Sequence, residues 1–190
     1  MEVLAFAADP VTVGTLVGAL ALIMFAAAWH KFSQADEFAG ALAAYRLLPQ
    51  AAVAVAARAL PVVEVAIGAG ILIPATRSWA LIALAALVTL YAFAIGINLG
   101  RGRHDIDCGC GGESHPLSWA LVLRNLILAA AALIASQPTV VRSMDLVDAV
   151  TLLLGVLAFY AFYLMADELL RQAGKLSRLN RDSHEHGQGT

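Results

Sequence analysis

The sequence predicts an all-α integral membrane protein, a bundle of about five transmembrane helices, and three observations predict it. Of its 190 residues, 61% are apolar without counting glycine and only 14% are charged, whereas soluble domains carry about 25% charged residues. The apolar residues fall in long continuous runs, unlike the alternating strands of a membrane β-barrel. With 12 basic and 14 acidic residues, the near-neutral charge argues against nucleic acid as a partner.

Five apolar runs are long enough to span a bilayer, which takes about 20 residues of helix for ~30 Å of hydrocarbon. They cover residues 11–28, 51–73, 78–99, 117–135 and 146–166. The first run is expected to stay as an anchor, because the ten residues before it have no basic residue. We expect a single bundle over residues 1–166, then an amphipathic basic extension over 167–190 that becomes a disordered tail from Arg181.

The connection after the first run, His30–Gln50, predicts a helix lying in the membrane interface. Ser33 followed by Asp36 and Glu37 is typical of a helix start. Apolar side chains then recur at helical spacing, at Phe38, Leu42 and Tyr45. A polar loop with chance periodicity is the alternative.

The basic residues outside the runs are divided unevenly between the two sides of the membrane. Eight lie on the side of the 30–50 connection, the 100–116 loop and the C-terminus, and two lie on the other side. The positive-inside rule makes the richer side cytoplasmic. We therefore expect a bacterial inner-membrane protein with a periplasmic N-terminus and a cytoplasmic C-terminus.

Both cysteines of the chain lie in the 100–116 loop, as Cys108 and Cys110 with one glycine between them. Their pairing in one loop favours paired redox chemistry through a labile disulfide, which flanking glycines would allow to close. Basic side chains before the cysteines would favour the reactive thiolate form. These basic residues are Arg101, Arg103 and His104.

Two other interpretations of this loop stay open. Zinc or copper would accept two imidazoles and two thiolates, which the loop supplies as His104, Cys108, Cys110 and His115. The Cys-x-Cys spacing is tighter than that of usual metal sites, so no metal is assigned. An inert glycine-rich turn is the third interpretation.

Polar residues inside the predicted spans indicate a pocket beneath the cysteines. Charges in hydrocarbon are costly, so they face the bundle interior and pair. We predict that Glu64 pairs with Arg124 or Arg58; the alternative is an ion pair that only holds the second and fourth spans together while Arg58 reaches the interface. The candidate pocket residues are Lys31, Arg58, Glu64, Asn98, Arg101, Arg103, His104, Arg124 and Asn125.

A series of motifs over residues 10–136 resembles the MauE family of methylamine utilisation, within the wider DoxX-like group of redox-associated membrane proteins. The series comprises His30-Lys31-Phe32, Tyr45 to Pro49, Leu60 to Glu64, Asn98 to Arg103, Asp107 to Gly111, and Leu117 to Asn125. Many members have an aromatic residue after the second cysteine, where this chain has Gly111 and Gly112.

The resemblance implies a DoxX-like four-helix core with a fifth, C-terminal helix. It also implies a role in maturing the disulfide-rich β-subunit of methylamine dehydrogenase, with a membrane-tethered, thioredoxin-like partner similar to MauD. Cys108 and Cys110 would then be the catalytic pair of a thiol–disulfide oxidoreductase. That subunit is periplasmic, whereas the charge rule places the cysteines on the cytoplasmic side. Either the rule fails here, or the pair acts as a transmembrane electron relay. The alternatives are a non-enzymatic scaffold or export factor and a metal-binding membrane protein.

Overall fold

The computed structural model describes residues 9–103, 106, 108, 116–139 and 143–187, with side chains described through residue 173. These residues form six α-helices and no β-strand, which confirms the all-α class. The helices are α1 (Pro10–Ser33), α2 (Ala35–Ala44), α3 (Gln50–Leu72), α4 (Arg77–Gly100), α5 (Trp119–Ala135) and α6 (Leu146–Gly187).

Four of these helices are long and apolar enough to cross a membrane: α1, α3, α4 and the first part of α6, Leu146–Ala173. The fifth predicted span is also an apolar helix, α5, but it has only 17 residues. At about 1.5 Å per residue it is ~26 Å long, slightly less than the hydrocarbon thickness.

The direction of α6 indicates that α5 also runs from one end of the bundle to the other. A Cβ built on Gly14 would lie 2.6 Å from the Leu152 side chain, and one built on Gly18 would lie 2.6 Å from that of Val156. Because both residue numbers rise together, α1 and α6 are parallel. A parallel α6 requires that α3, α4 and α5 alternate in direction between them.

The connection after α1 contains the predicted helix, but its start differs from the expectation. Ser33 is the last residue of α1, and the residue that precedes α2 is Gln34, whose side chain makes no capping hydrogen bond. The prediction that Ser33 caps the start of α2 is wrong. Ser33 is still part of α1, and the residue at the cap position is Gln34. α2 then packs against α3, with Phe38 buried.

The C-terminal extension is more regular than the sequence predicts. α6 has 42 residues and continues as a helix to Gly187, so it includes part of the segment for which the sequence predicts a disordered tail. Adding residues to an existing helix is much easier than nucleating one. The segment has no proline, and its first glycine after Gly174 is Gly187.

The core consists of two apolar clusters stacked along the bundle. The larger one joins α1, α3, α4 and α5 and includes Val88 of α4. The smaller one includes Ile95 of α4 together with Tyr45 and Cys108. Because Tyr91 lies between Val88 and Ile95 on α4, the region around Tyr91 is the boundary between the two clusters.

A buried ion pair and an apolar cavity form the candidate functional site

The centre of the site is a buried ion pair between α1 and α3. Lys31 Nζ lies 2.6 Å from Glu64 Oε1, and the two side chains are 4% and 0% exposed. Tyr91 of α4 donates a hydrogen bond to the same oxygen at 2.9 Å. Lys31 Nζ also lies 5.4 Å from the centroid of the Tyr91 ring. Three helices are therefore connected through one carboxylate.

The predicted partners of Glu64 are wrong. Arg58 lies on α3 with an exposed side chain, and Arg124 forms an ion pair with Asp167 of α6. The reason is helix register: Gly68 of α3 packs against Phe25 of α1. Further along this antiparallel pair, six residues after Phe25 and four before Gly68, Lys31 meets Glu64.

Two buried polar atoms near these ion pairs have no hydrogen-bond partner among the described residues: Glu64 Oε2 and Arg124 Nε. The Arg124 guanidinium also lies 5.9 Å from the centroid of the Tyr163 ring on α6. Asn125, the neighbour of Arg124, is buried and donates to the Leu121 carbonyl within its own helix. Buried polar atoms without a partner are costly in hydrocarbon, so both atoms are positions at which a further polar contact would be favourable.

A second polar group holds the backbone at Cys108. The Tyr45 hydroxyl donates to the Cys108 carbonyl at 3.1 Å. Arg103 Nη1 lies 3.2 Å from Asn98 Oδ1 and 3.5 Å from the Tyr45 carbonyl. Asn98 is fully buried, and the residue after Tyr45, Arg46, has a φ of 51°, in the left-handed region that non-glycine residues rarely adopt. The end of α2 is thereby held against the end of α4.

Cys108 is disulfide-bonded and buried in the smaller apolar cluster, with 6% of its surface exposed. Cys110, His104 and His115 lie outside the described residues. Within the described part of the chain, no group of three metal-ligating side chains comes together. Arg101 is described and has an exposed side chain, so it does not join Arg103 in the network.

An apolar cavity of about 390 Å³ lies between α2, α3 and α4. Among the described residues, Lys31 is the only charged one that lines it, and Cys108 also lines it. Tyr45 and Tyr91 contribute their rings to the wall. The cavity therefore extends from the ion pair to the cysteine. Its lining is mostly apolar, whereas the sequence predicts a polar pocket beneath the cysteines.

Three residues of these networks were missed by sequence reasoning: Tyr45 as a hydrogen-bond donor, Tyr91 and Asp167. Tyr91 was detectable as the one tyrosine within the run 78–99. Asp167 was detectable as the first acidic residue after the last apolar run. Neither pattern identifies a partner, because the partners lie on other helices.

The fold and the site define an all-α membrane protein whose helices are joined by a buried ion pair and a partly buried one, near a cysteine-bearing loop. A profile of the family described as "Methylamine utilisation protein MauE" matches residues 9–137, and the chain belongs to this family. No solved structure matches the chain.

Curated relatives support the same family. The chain is 40% identical to "Methylamine utilization protein MauE" of Paracoccus denitrificans, over 67% of this chain and 70% of the relative. It is 38% identical to the protein of that name from Methylophilus methylotrophus, over 78% of this chain and 80% of the relative. A third, from Methylorubrum extorquens, is 38% identical over 68% of this chain and 71% of the relative.

Proposed function

We propose that this protein handles thiol–disulfide exchange through Cys108 and Cys110 during methylamine utilisation. Its substrate is the disulfide-rich β-subunit of methylamine dehydrogenase, reached through a membrane-tethered, thioredoxin-like protein similar to MauD. The observation that carries the proposal is the disulfide-bonded state of Cys108 in a loop whose backbone is held by Tyr45. The family name of the relatives supports the pathway.

The surroundings of Cys108 suit a disulfide that is positioned for exchange. The Tyr45 hydroxyl holds the main-chain carbonyl of Cys108 and so fixes the backbone that carries the thiol. The Leu117 N–H also donates to the Ile106 carbonyl at 3.1 Å, which joins the two ends of the loop. These contacts fix the peptide at Cys108 while the loop begins and ends at spanning helices, an arrangement that supports exchange at the membrane surface.

The test is the maturation of the dehydrogenase β-subunit in cells that carry Cys108→Ser/Cys110→Ser in the full chain. We expect the β-subunit to accumulate with free thiols, while the variant is recovered from membranes at the wild-type level. Ser136→Ala, at the opposite end of the bundle, is the control and should leave maturation unchanged. Normal maturation in the double variant would overturn the proposal and favour a scaffold or export factor.

The partner is tested with the two single variants. With no third thiol in the chain, a redox cycle has to pass through a mixed disulfide with another protein. Whichever of Cys108→Ser and Cys110→Ser retains the attacking thiol should accumulate a thiol-sensitive adduct on a non-reducing gel. Mass spectrometry should identify a thioredoxin-like protein in that adduct; the absence of an adduct from both variants would contradict direct exchange.

A further inference from the structure

The cavity beside Cys108 is open toward the lipid-facing surface of the bundle. Ala59, Val63 and Leu90 line it, and all three side chains are exposed on helices long and apolar enough to span the membrane. The opening therefore lies between α3 and α4, where hydrocarbon would surround it. A molecule that enters by this route has to be dissolved in the membrane.

The residues at the polar end of the cavity determine which kind of ligand it can bind. In the part of the chain that the structure describes, Lys31 is the one charged lining residue, and its ammonium makes one hydrogen bond there, to Glu64. An ammonium has three donors and no acceptor, so donors remain for an acceptor on a ligand. The aromatic residues Phe38, Tyr45 and Tyr91 line the same space, which suits a flat ligand ring. A flat ring with a carbonyl oxygen and an apolar tail fits these features.

We infer that the cavity binds the ring of a prenylated membrane quinone, with a ring carbonyl accepting a hydrogen bond from Lys31. A volume near 390 Å³ falls within the range of about 300–1,000 Å³ typical of small-molecule sites. The binding site stands independently of redox activity. A quinone is also an oxidant, and Cys108 lines the cavity in which it would lie.

The redox step rests on the proposed function. The reduced cysteine pair gives two electrons and two protons to the quinone. Two S–H bonds break, the Cys108–Cys110 S–S bond forms, and both quinone carbonyl oxygens become hydroxyl groups of the quinol. The regenerated disulfide is then available to oxidise a thiol partner, so electrons leave the protein into the membrane pool.

Binding is tested on the full chain, purified in nanodiscs that contain phospholipid and ubiquinone of known amount. Ala59→Trp places a large ring at the mouth of the cavity. Ala54→Trp is the matched control, since Ala54 is exposed on the same helix but does not line the cavity. We expect the affinity for ubiquinone to fall about tenfold in Ala59→Trp and to stay at the wild-type value in Ala54→Trp.

A second variant, Lys31→Met/Glu64→Gln, removes the donor without leaving a buried charge, and it should also weaken ubiquinone binding. Equal binding by wild type and Ala59→Trp, or a site occupied by phospholipid only, would overturn the inference. Thiol titration of the reduced protein with ubiquinone tests the redox step; quinol should form only when Cys108 and Cys110 are both present. If the protein binds ubiquinone but does not support maturation of the β-subunit, the proposed function is wrong and the binding site still stands.

Discussion

At the scale of single side chains, the Lys31–Glu64 pair shows how two charged residues, each costly to bury alone, can together stabilise the bundle. A charged group in hydrocarbon costs at least about 2.5–3.5 kcal/mol. Contact at 2.6 Å with an opposite charge and a further bond from Tyr91 offset that cost. Arg58 shows the contrast: with an exposed side chain, it can extend its long stem toward the interface.

Removing one member of the pair should be far more damaging than removing both. Lys31→Met leaves the Glu64 carboxylate buried without a partner, and we expect a loss of about 3–5 kcal/mol in the free energy of unfolding. Lys31→Met/Glu64→Leu should recover part of that loss, while Arg58→Gln should stay within about 0.5 kcal/mol of wild type. Thermal unfolding in detergent measures all of these proteins. Additive losses in the double variant would show that the residues are not coupled.

The Tyr45 hydroxyl should control access to Cys108. A hydrogen bond is worth about 1 kcal/mol, so Tyr45→Phe should raise the population of open loop about fivefold. In a Cys110→Ser background, Cys108 is the only thiol of the chain, and its rate of maleimide labelling reports this opening directly. Tyr160→Phe is the control, because Tyr160 packs against the larger cluster, away from the loop. Equal labelling rates with and without the Tyr45 hydroxyl would contradict the assigned role.

At the scale of elements, small residues determine how α6 joins the bundle. Gly14 and Gly18 are four residues apart on α1, and Gly155 of α6 lies against Thr15. Small residues at this spacing let helix backbones approach closely in membranes. Most of the apolar part of α6 is otherwise unburied, so this contact and the Arg124–Asp167 pair hold the helix in place.

Gly18→Ala should loosen α6, because the added methyl group would lie 2.6 Å from Val156 Cγ2. Overpacking of this kind costs about 1–3 kcal/mol, and the branched valine has little freedom to move away. Gly18→Ala/Val156→Ala should regain stability, whereas Gly96→Ala, which meets open space, should not lose any. The measurement is again thermal unfolding. Failure of Val156→Ala to rescue Gly18→Ala would show that this contact does not limit the approach of the helices.

At the scale of the whole molecule, the alternating directions of the helices place the candidate functional site at one end of the bundle. The parallel arrangement of α1 and α6 places the end of α1, the end of α4 and the last part of α6 on the same side. Ser78 at the start of α4 donates to the Ser136 carbonyl after α5, which marks the opposite end. The end of α4, after which the cysteine loop begins, and the last part of α6 therefore share a side.

The uneven distribution of basic residues predicts that this shared side is cytoplasmic. A green fluorescent protein fused after Thr190 should fluoresce, and alkaline phosphatase at the same position should be inactive. A phosphatase inserted after Gln137, at the opposite end, should be active and provides the control. Strong phosphatase activity from the C-terminal fusion would reverse the orientation and place Cys108 at the periplasmic surface.

The candidate site was only partly predictable from the sequence. Lys31, Glu64 and Arg124 are recognisable because charges within apolar runs require partners. Their pairing was not recognisable, because the sequence contains several opposite charges at similar depth and does not give the register between α1 and α3. The cavity beside Cys108 is likewise formed by three helices that are separate in the sequence.

The sequence by itself determined the all-α membrane class, the position of the apolar helices and the residues that need burial with a partner. These properties follow from composition and local periodicity, which act within single segments. Only the tertiary structure decided that Glu64 meets Lys31 and Tyr91, that Arg124 meets Asp167, and that Tyr45 holds Cys108. Such contacts depend on the register and direction of neighbouring helices, and in this bundle the close approach at Gly18 and Gly68 sets that register.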